Sequence, residues 1–310
     1  MILKSVVLRR FKRFEEIRFE VPGHTVVVGP NNSGKTTLLQ AIAAWDFALR
    51  KWKELGDFGK HKGAYTYVNV GRADFAAVPL RDFDLLWNER HVQKRIEVEV
   101  TLTGRTPIVI EFHHDSTEQI KIRPSKEAAP DALKSAEVRA VFIPPMTGLD
   151  RNEAEYARDE TIDDFLAQGR PGEVLRNLLV RAHRSGAAWD RLSDAIRRLF
   201  SAELIPPKVG AKILAEYRQG TGTQFDIASA GSGLQQVLML LTFLHTRPGS
   251  ILLVDEPDAH LHVYLQDAIY AELKRVAAAN NSQLILATHS EVIMDSADAG
   301  ELVMMLTNPD

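Results

Sequence analysis

A glycine-rich octapeptide near the start of the sequence has the residue types needed to hold a polyphosphate. Residues 29–36 read GPNNSGKT and match the pattern G-x-x-x-x-G-K-[ST] at every fixed position. Glycines let the main chain wrap closely, so that successive N–H groups point at phosphate oxygens. Lys35 is expected to reach the β- and γ-phosphates, and the Thr36 hydroxyl to bind Mg²⁺. The predicted nucleotide-contacting residues of this loop are Asn31, Asn32, Ser33, Gly34, Lys35, Thr36 and Thr37.

Two later apolar segments end in polar side chains that suit phosphoryl transfer. Residues 251–254 (ILLV) lead to Asp255 and Glu256, and residues 284–287 (LILA) lead to His289 after one threonine. An aspartate at a strand end helps to hold Mg²⁺ in such sites, so we predict that Asp255 is a metal ligand. Glu256 is predicted to orient or deprotonate the attacking water. His289 is predicted to donate a hydrogen bond to the γ-phosphate or to that water.

A second anion site is predicted at the start of an apolar helix. Residues 229–236 read SAGSGLQQ and precede a run rich in valine and leucine. A serine cap followed by glycine leaves main-chain N–H groups free to bind an anion, although such a cap also occurs without any ligand. Two registers are open, because either Ser232 with Gly233 or Ser229 with Gly231 fits the pattern.

Hydrophobic patterning predicts the elements that position these residues. A short strand at 26–28 precedes the GPNNSGKT loop and a helix follows it, while strands and helices alternate from about 233 onward. This alternation favours a parallel sheet with helices on its faces. Helices are expected between about 153 and 200, and a hairpin is expected to pair 211–217 with 223–227. Further strands, expected to pair antiparallel, lie at 2–9, 17–21, 95–102, 107–112 and 119–123.

Composition excludes several classes of protein. The 310 residues are 45% hydrophobic and 25% charged, with a net charge of −3, as in an ordinary globular protein. The absence of cysteine excludes a disulfide scaffold, a cysteine nucleophile and thiolate metal sites. The apolar runs are far shorter than the ~20 residues that span a bilayer, and no signal peptide is evident, so we expect a cytoplasmic protein with no membrane association. The histidine pairs at 113–114 and 260–262 lack a third ligand for zinc.

Taken in order, these four motifs resemble those of an ABC-type ATPase head of the SMC-like class: Walker A, signature, Walker B and switch histidine. Residues 256–262 (EPDAHLH) are similar to the D-loop region of overcoming-lysogenization-defect (OLD) family ATPases, and residues 8–14 (LRRFKRF) to their opening strand and loop. The resemblance covers residues 1–50 and about 225–306. It implies an α/β, ABC-type P-loop NTPase with a mixed central sheet, an N-terminal antiparallel β subdomain and a helical lobe.

The resemblance also implies cofactors and a partner. ATP and Mg²⁺ would bind between two copies of the chain, with Ser232 and Gly233 contacting the γ-phosphate held by the opposite copy. We expect a single ATPase domain over 1–310 in two lobes. The first lobe is residues 1–145 and contains Walker A and an insertion at 51–94. The second lobe is residues 226–310 and contains the signature, Walker B and the switch histidine. A helical region at about 150–225 connects them.

Two departures from the family pattern affect what the protein is expected to do. The segment that matches the place of the Q-loop in the family pattern, residues 142–148 (FIPPMTG), contains no glutamine. Many OLD-type proteins continue into a Toprim nuclease, whereas this chain stops at Asp310, so a nuclease is expected to be absent, removed or supplied by another protein. Two functions therefore stay open: an ATPase that controls DNA cleavage in defence or repair, and an ATP-gated assembly or sensor module that binds a protein partner.

Charge is unevenly distributed along the predicted helical region. Residues 170–198 hold seven arginines, and residues 150–164 hold seven acidic residues against two arginines. A solvated helical face explains such runs in most proteins. The alternative is that the basic run contacts DNA phosphates, as in SMC-like relatives.

Overall fold

The computed structural model describes residues 2–306, apart from 76, 77, 79, 146, 147, 151 and 221. Within this part of the chain, no helix is both long enough and apolar enough to cross a bilayer. The helices are α1 (Lys35–Leu55), α2 (Pro130–Ser135), α3 (Asp159–Ala167), α4 (Leu175–Arg184), α5 (Ala187–Phe200), α6 (Ser232–Thr246), α7 (Val263–Ala279) and α8 (Glu291–Ser296). The strands are β1 (Leu3–Phe11), β2 (Phe14–Glu20), β3 (Thr25–Val28), β4 (Val68–Gly71), β5 (Ile96–Leu102), β6 (Ile108–Ser116), β7 (Gln119–Pro124), β8 (Ala140–Ile143), β9 (Ala202–Val209), β10 (Ile213–Gln219), β11 (Gln224–Asp226), β12 (Ile251–Asp255), β13 (Gln283–Thr288) and β14 (Leu302–Met304).

A parallel sheet with the strand order β14-β3-β13-β12-β8 lies at the centre of the fold. The strands β3, β8, β12 and β13 are buried on both faces, which is why they read as largely apolar runs in the sequence. Side chains alternate between the faces: Leu253 lies in one hydrophobic core, while its neighbours Leu252 and Val254 lie in the other. The carboxyl ends of β12 and β13 therefore reach the same edge of the sheet as the carboxyl end of β3.

An antiparallel sheet with the order β2-β1-β5-β6-β7-β4 encloses the first core together with α1. The helix buries Trp45 and Trp52 between the two sheets. A buried amide also joins the sheets, because the Gln283 side chain accepts from the Leu3 main-chain N–H (2.8 Å) and donates to the Leu3 carbonyl (3.0 Å). The predicted α/β fold with parallel and antiparallel strands is confirmed; the two kinds of pairing occupy separate sheets.

The second core lies on the other side of the parallel sheet and contains the helical region. The predicted hairpin is present as β10 and β11, which pair antiparallel. The sequence analysis missed β9, which contains Pro206 and Pro207 and pairs with β10 as an edge strand, a position that tolerates proline. The first helix of this region begins at Asp159 and not near 153, because Glu153 and Tyr156 form hydrogen bonds with Asn177 of α4 and the residues between them are not helical.

The segment predicted as an irregular insertion, residues 51–94, contributes to the first core. Helix α1 continues to Leu55, since Trp52 lies on its buried face despite the charged neighbours. Strand β4 adds an edge to the antiparallel sheet. The aromatic side chains of Phe75, Phe83 and Trp87 are buried in the same core.

Candidate nucleotide-binding site

The loop between β3 and α1 depends on two glycines. Gly29 has φ +154° and Gly34 has φ +106°, a region that side chains rarely adopt. A Cβ atom on Gly29 would lie 2.2 Å from the Met305 carbonyl oxygen, and one on Gly34 would lie 2.3 Å from the Phe14 ring. Both positions therefore require glycine for conformation and for space.

Lys35 projects back over this loop. Its Nζ atom donates to the carbonyl oxygens of Gly29 (2.9 Å) and Pro30 (3.0 Å), and it lies 2.9 Å from Nε2 of His289. Burial lowers the pKa of the Lys35 ammonium group, against the opposing effect of the Asp255 and Glu256 charges. A bound phosphate would offer this ammonium group charged acceptors, which form stronger hydrogen bonds than carbonyl oxygens do.

Thr36 and Asp255 meet directly across the same cleft. The Thr36 hydroxyl, in the first turn of α1, donates to Oδ2 of Asp255 at the end of β12 over 2.8 Å. Burial raises the pKa of the Asp255 carboxyl, and the Thr36 hydrogen bond opposes that rise. A hydroxyl and a carboxylate oxygen are the hard ligands that Mg²⁺ prefers, so the pair fits the predicted metal site.

Glu256 and His289 follow the ends of two adjacent parallel strands, β12 and β13. Oε1 of Glu256 lies 4.0 Å from Nε2 of His289, and both side chains are partly exposed, so water can reach them. Glu256 has φ +50°, a left-handed conformation that is strained for a side-chain-bearing residue. Strained residues of this kind cluster at functional sites. The main-chain N–H of Glu256 donates to the Ala287 carbonyl (2.8 Å), which holds this turn against β13.

The other loop residues differ in exposure. Asn31 and Asn32 are exposed, and Asn32 is also left-handed at φ +63°. Ser33 is buried, and its hydroxyl has no hydrogen-bond partner among the described residues. Thr37 is half-buried in the first turn of α1. The structure thus brings Lys35, Thr36, Asp255, Glu256 and His289 together, with the polar loop residues around them.

The predicted signature residues lie at the start of α6. Ser232 is exposed in the first turn, whereas the competing Ser229 uses its hydroxyl to donate to the Asp226 carbonyl over 2.6 Å. A Cβ atom on Gly233 would lie 2.9 Å from the His260 carbonyl oxygen, so this glycine allows α6 to pack against the loop after Glu256. These contacts favour the register with Ser232 and Gly233.

Sequence reasoning missed two groups that shape the site. Phe14 and Arg13, at the turn between β1 and β2, lie against Gly34. The buried Gln236 on α6 donates from Nε2 to the Glu256 carbonyl over 3.2 Å. A pattern of fixed residue types carries no signal for either contact, because both join elements far apart in the chain. Two residues of the predicted Q-loop place, Met146 and Thr147, lie outside the described residues.

Comparison with protein families identifies this arrangement. A family model described as "AAA domain, putative AbiEii toxin, Type IV TA system" matches residues 25–295. The chain belongs to this AAA family. The match includes the glycine-rich loop, the ends of β12 and β13 and the start of α6.

Curated relatives of this AAA protein include one named for chromosome partition and one named for DNA replication and repair. The chromosome partition protein Smc of Methanocaldococcus jannaschii is 41% identical over 81 residues, 25% of this chain and 7% of the relative. The DNA replication and repair protein RecF of Roseiflexus castenholzii is 29% identical over 238 residues, 70% of this chain and 55% of the relative. The chain thus spans about half of the RecF relative and a small part of the Smc relative.

Solved structures of Smc heads share the fold of this AAA protein. An Smc head bound to the C-winged helix domain of ScpA superimposes with a TM-score of 0.62 at 17% identity, over 98% of this chain and 94% of that one. An Smc head with an extended coiled coil, bound to the C-terminal domain of ScpA derived from Pyrococcus furiosus, superimposes with a TM-score of 0.59 at 16% identity. This match covers 98% of this chain and 93% of that one. The expected fold of an SMC-like ABC ATPase head is confirmed. The narrower likeness to the OLD family stays a prediction.

Proposed function

We propose that this AAA protein binds Mg-ATP and hydrolyses it as a dimer that closes around two nucleotides. The observation that carries the proposal is the convergence of Lys35, Thr36, Asp255, Glu256 and His289 at one edge of the parallel sheet. Three chain segments deliver these side chains, from the carboxyl ends of β3, β12 and β13. This is the edge at which ligands bind in open α/β sheets.

In this proposal the hydrolytic step is divided among the chain's own residues. Lys35 holds the β- and γ-phosphate oxygens, while His289 contacts the γ-phosphate or the attacking water. Glu256 orients that water and accepts its proton as the oxygen attacks the γ-phosphorus and the bond to the bridging oxygen breaks. When bound at Thr36 and Asp255, Mg²⁺ supplies positive charge that neutralises the phosphate oxygens. The products are ADP and inorganic phosphate.

A second copy completes each site in this proposal. Ser232 is exposed at the start of α6, where free main-chain N–H groups and the helix dipole favour an anion. The Gly233 contact with His260 fixes that helix start against the loop after Glu256. The γ-phosphate held by one copy would therefore meet Ser232 and Gly233 of the other.

We propose that this dimerisation controls a DNA-processing partner in defence or repair, acting with a nuclease domain or subunit outside these 310 residues. The names of the Smc and RecF relatives support the link to DNA. The rival function is an ATP-gated sensor that binds a protein partner and controls no nuclease. It predicts ATP-dependent dimers that do not bind DNA. The cytoplasmic location stays a prediction.

Trapping the ATP-bound dimer tests the proposal. Glu256→Gln keeps the size of the side chain but removes the charge that accepts a proton, so the variant should bind Mg-ATP, fail to hydrolyse it and accumulate as a dimer. Light scattering after gel filtration should show dimers with ATP and monomers with ADP. Lys35→Ala should lose ATP binding and stay monomeric with either nucleotide.

Adding Ser232→Arg to Glu256→Gln supplies the control for the composite site. Bulk at Ser232 should prevent the trapped dimer without weakening ATP binding, because each chain's own phosphate loop is intact. Full ATP hydrolysis by Glu256→Gln, or trapped dimers that form equally well with Ser232→Arg, would contradict the proposed site.

A further inference from the structure

The basic run at 170–198 does not offer a free cationic surface. Arg181 pairs with Asp159 (2.7 Å), and Arg184 pairs with Glu155 (2.6 Å), so the acidic and basic runs neutralise one another. In the described part of the chain, Arg191 is the one arginine of this run without an ion pair. The remaining arginines also pair with carboxylates: Arg170 with Glu173, Arg176 with Asp226, Arg197 with Asp194 and Arg198 with Glu272.

Cations without carboxylate partners gather elsewhere, at the end of α1 and around α2. We call this the connector surface and define it as residues 51–62 and 126–136 together with Arg105. It carries seven lysine and arginine side chains against four acidic ones, although the whole chain has a net charge of −3. Within the described residues, five of the seven cations form no ion pair: Lys53, Lys60, Lys62, Arg105 and Lys134.

Contacts with the main chain join these cations into one surface. Lys53 Nζ donates to the carbonyl of Lys134 (3.2 Å), and Lys60 Nζ donates to the carbonyl of Lys126 (2.8 Å). Arg105 donates from Nη1 to the Ser135 hydroxyl over 2.9 Å. None of these partners carries a negative charge, so the bonds position the cations and leave their charge available.

Aromatic rings support two of the lysines. The Lys60 ammonium group lies 4.9 Å from the centre of the Tyr65 ring, and that of Lys134 lies 5.4 Å from the centre of the Phe58 ring. Both rings pack against Trp52 at the buried end of α1. The aromatic faces thus hold the ammonium groups at the surface without quenching their charge.

A cavity of about 560 Å³ adjoins the connector surface, and Lys53 belongs to both. The other cations of its lining, Arg50 and Arg139, pair with Asp46 and Asp163, so the cavity adds no further unpaired cation to the surface. Lys53 is 18 residues after Lys35 on the same helix, which places it about 27 Å from the phosphate loop at 1.5 Å per residue. The connector surface is therefore separate from the nucleotide site.

We propose that the connector surface binds the phosphate backbone of duplex DNA. Lysine groups fixed by carbonyl and ring contacts suit a polyanion whose charges repeat closely along its length. The inference names the DNA partner of the proposed function, and it depends on that function only for the choice of DNA. It does not depend on ATP binding or dimerisation.

Matched charge variants test this assignment in the full-length chain. Lys60, Lys62 and Lys134 changed together to Gln should lower the affinity for a labelled random-sequence duplex by about tenfold or more at low salt, and should flatten the plot of log affinity against log salt by about two to three units. The control removes the same charge from the helical region, with Arg170, Arg184 and Arg197 changed to Gln. It should leave both quantities near the wild-type values, because those arginines are already paired.

Fluorescence anisotropy without nucleotide, with circular dichroism to check folding, separates this inference from the proposed function. Lys35→Ala should bind the duplex as the wild type does, even if it abolishes ATP binding. Equal losses in the two triple variants, or no duplex binding by the wild type at low salt, would overturn the assignment. Competition by poly-glutamate as strong as that by unlabelled duplex would also overturn it and point to an acidic protein partner.

Discussion

Gln236 connects the start of the signature helix to the proposed general base. Its side chain is fully buried, and Nε2 donates to the main-chain carbonyl of Glu256, the residue held at φ +50°. Oε1 of Gln236 has no partner among the described residues. A buried polar atom without a partner costs stability, which fits a residue that serves to position Glu256.

Gln236→Leu should therefore impair turnover more than binding. Loss of the amide allows the strained Glu256 turn to relax. A misplacement of the Glu256 carboxylate by about 1 Å costs about 10- to 100-fold in kcat. Steady-state ATPase assays should show this fall with KM changed little, and equilibrium binding should show unchanged affinity for Mg-ATP. The matched control is Gln224→Leu on the exposed part of β11, which should leave kcat unaltered. A variant whose KM rises while kcat is kept would show that Gln236 acts on substrate binding instead.

At the scale of elements, helix α4 depends on a carboxylate from the extended segment before it. Glu153 is buried and accepts hydrogen bonds from the main-chain N–H groups of Arg176 (2.9 Å) and Asn177 (2.6 Å) in the first turn of α4. Arg176 in turn forms a bidentate pair with Asp226 at the end of β11, the strand before the signature helix. Glu153 thus ties the start of α4 to the loop that leads into α6.

Burial of Glu153 makes the stability of the fold depend on pH. It raises the pKa of this carboxyl from 4.5 to about 7, against the opposing effect of its hydrogen bonds. The folded chain therefore binds more protons than the unfolded chain between these values, and stability falls as pH rises through this window. Glu153→Gln mimics the neutral form, so wild type and variant should match below pH 4.5, where the carboxyl group is protonated in both the folded and the unfolded chain. Above pH 7 the variant should be more stable by about 1–3 kcal/mol.

Urea unfolding at several pH values measures this difference. The relevant quantity is the free energy of unfolding of Glu153→Gln minus that of the wild type, since other titrating groups cancel. A difference that is constant from pH 5 to pH 8 would contradict the raised pKa. A variant that is less stable at every pH would show that the charge of Glu153 is needed at the start of α4.

At the scale of the whole molecule, one chain holds two different halves of the proposed site. The group around Lys35 lies at the edge of the parallel sheet, and Ser232 lies exposed at the start of α6. In a dimer with two-fold symmetry, each site takes one half from each copy. Two variants defective in different halves should therefore complement one another.

Mixing Lys35→Ala chains with Ser232→Arg chains checks this symmetry. Each variant alone should lack ATPase activity, because two identical variant chains cannot assemble an intact site. A mixed dimer keeps one intact site of two, so an equal mixture should recover ATPase activity, up to about half of the wild-type rate. Mixing two batches of the same variant is the control. No recovery in the mixture, with ATP binding by Ser232→Arg preserved, would contradict a site shared between chains.

The sequence allowed the prediction of local features and of strand ends, and failed where distant segments meet. GPNNSGKT and the carboxylates after β12 could be recognised because the residues that do the chemistry are adjacent in the chain. Strand β9 was missed because its prolines disfavour a strand unless it lies at an edge. The pairing of Arg184 with Glu155 was missed because a charge run says nothing about which run lies opposite it.

The position of β3 also has a consequence for biosynthesis. This strand lies between β13 and β14, so the strand before the phosphate loop gains its neighbours only after residues 283–304 have been made. At about 5–20 residues per second, the ribosome takes roughly 13–50 s to travel from the end of β3 to the start of β13. During this time the antiparallel sheet can form on the nascent chain from residues 3–124, while the apolar β3 remains unpaired because β13 and β14 have not been made. The nucleotide site is thus completed only after β13 and β14 have been made, and we expect a chain truncated before β13 to lack ATP binding.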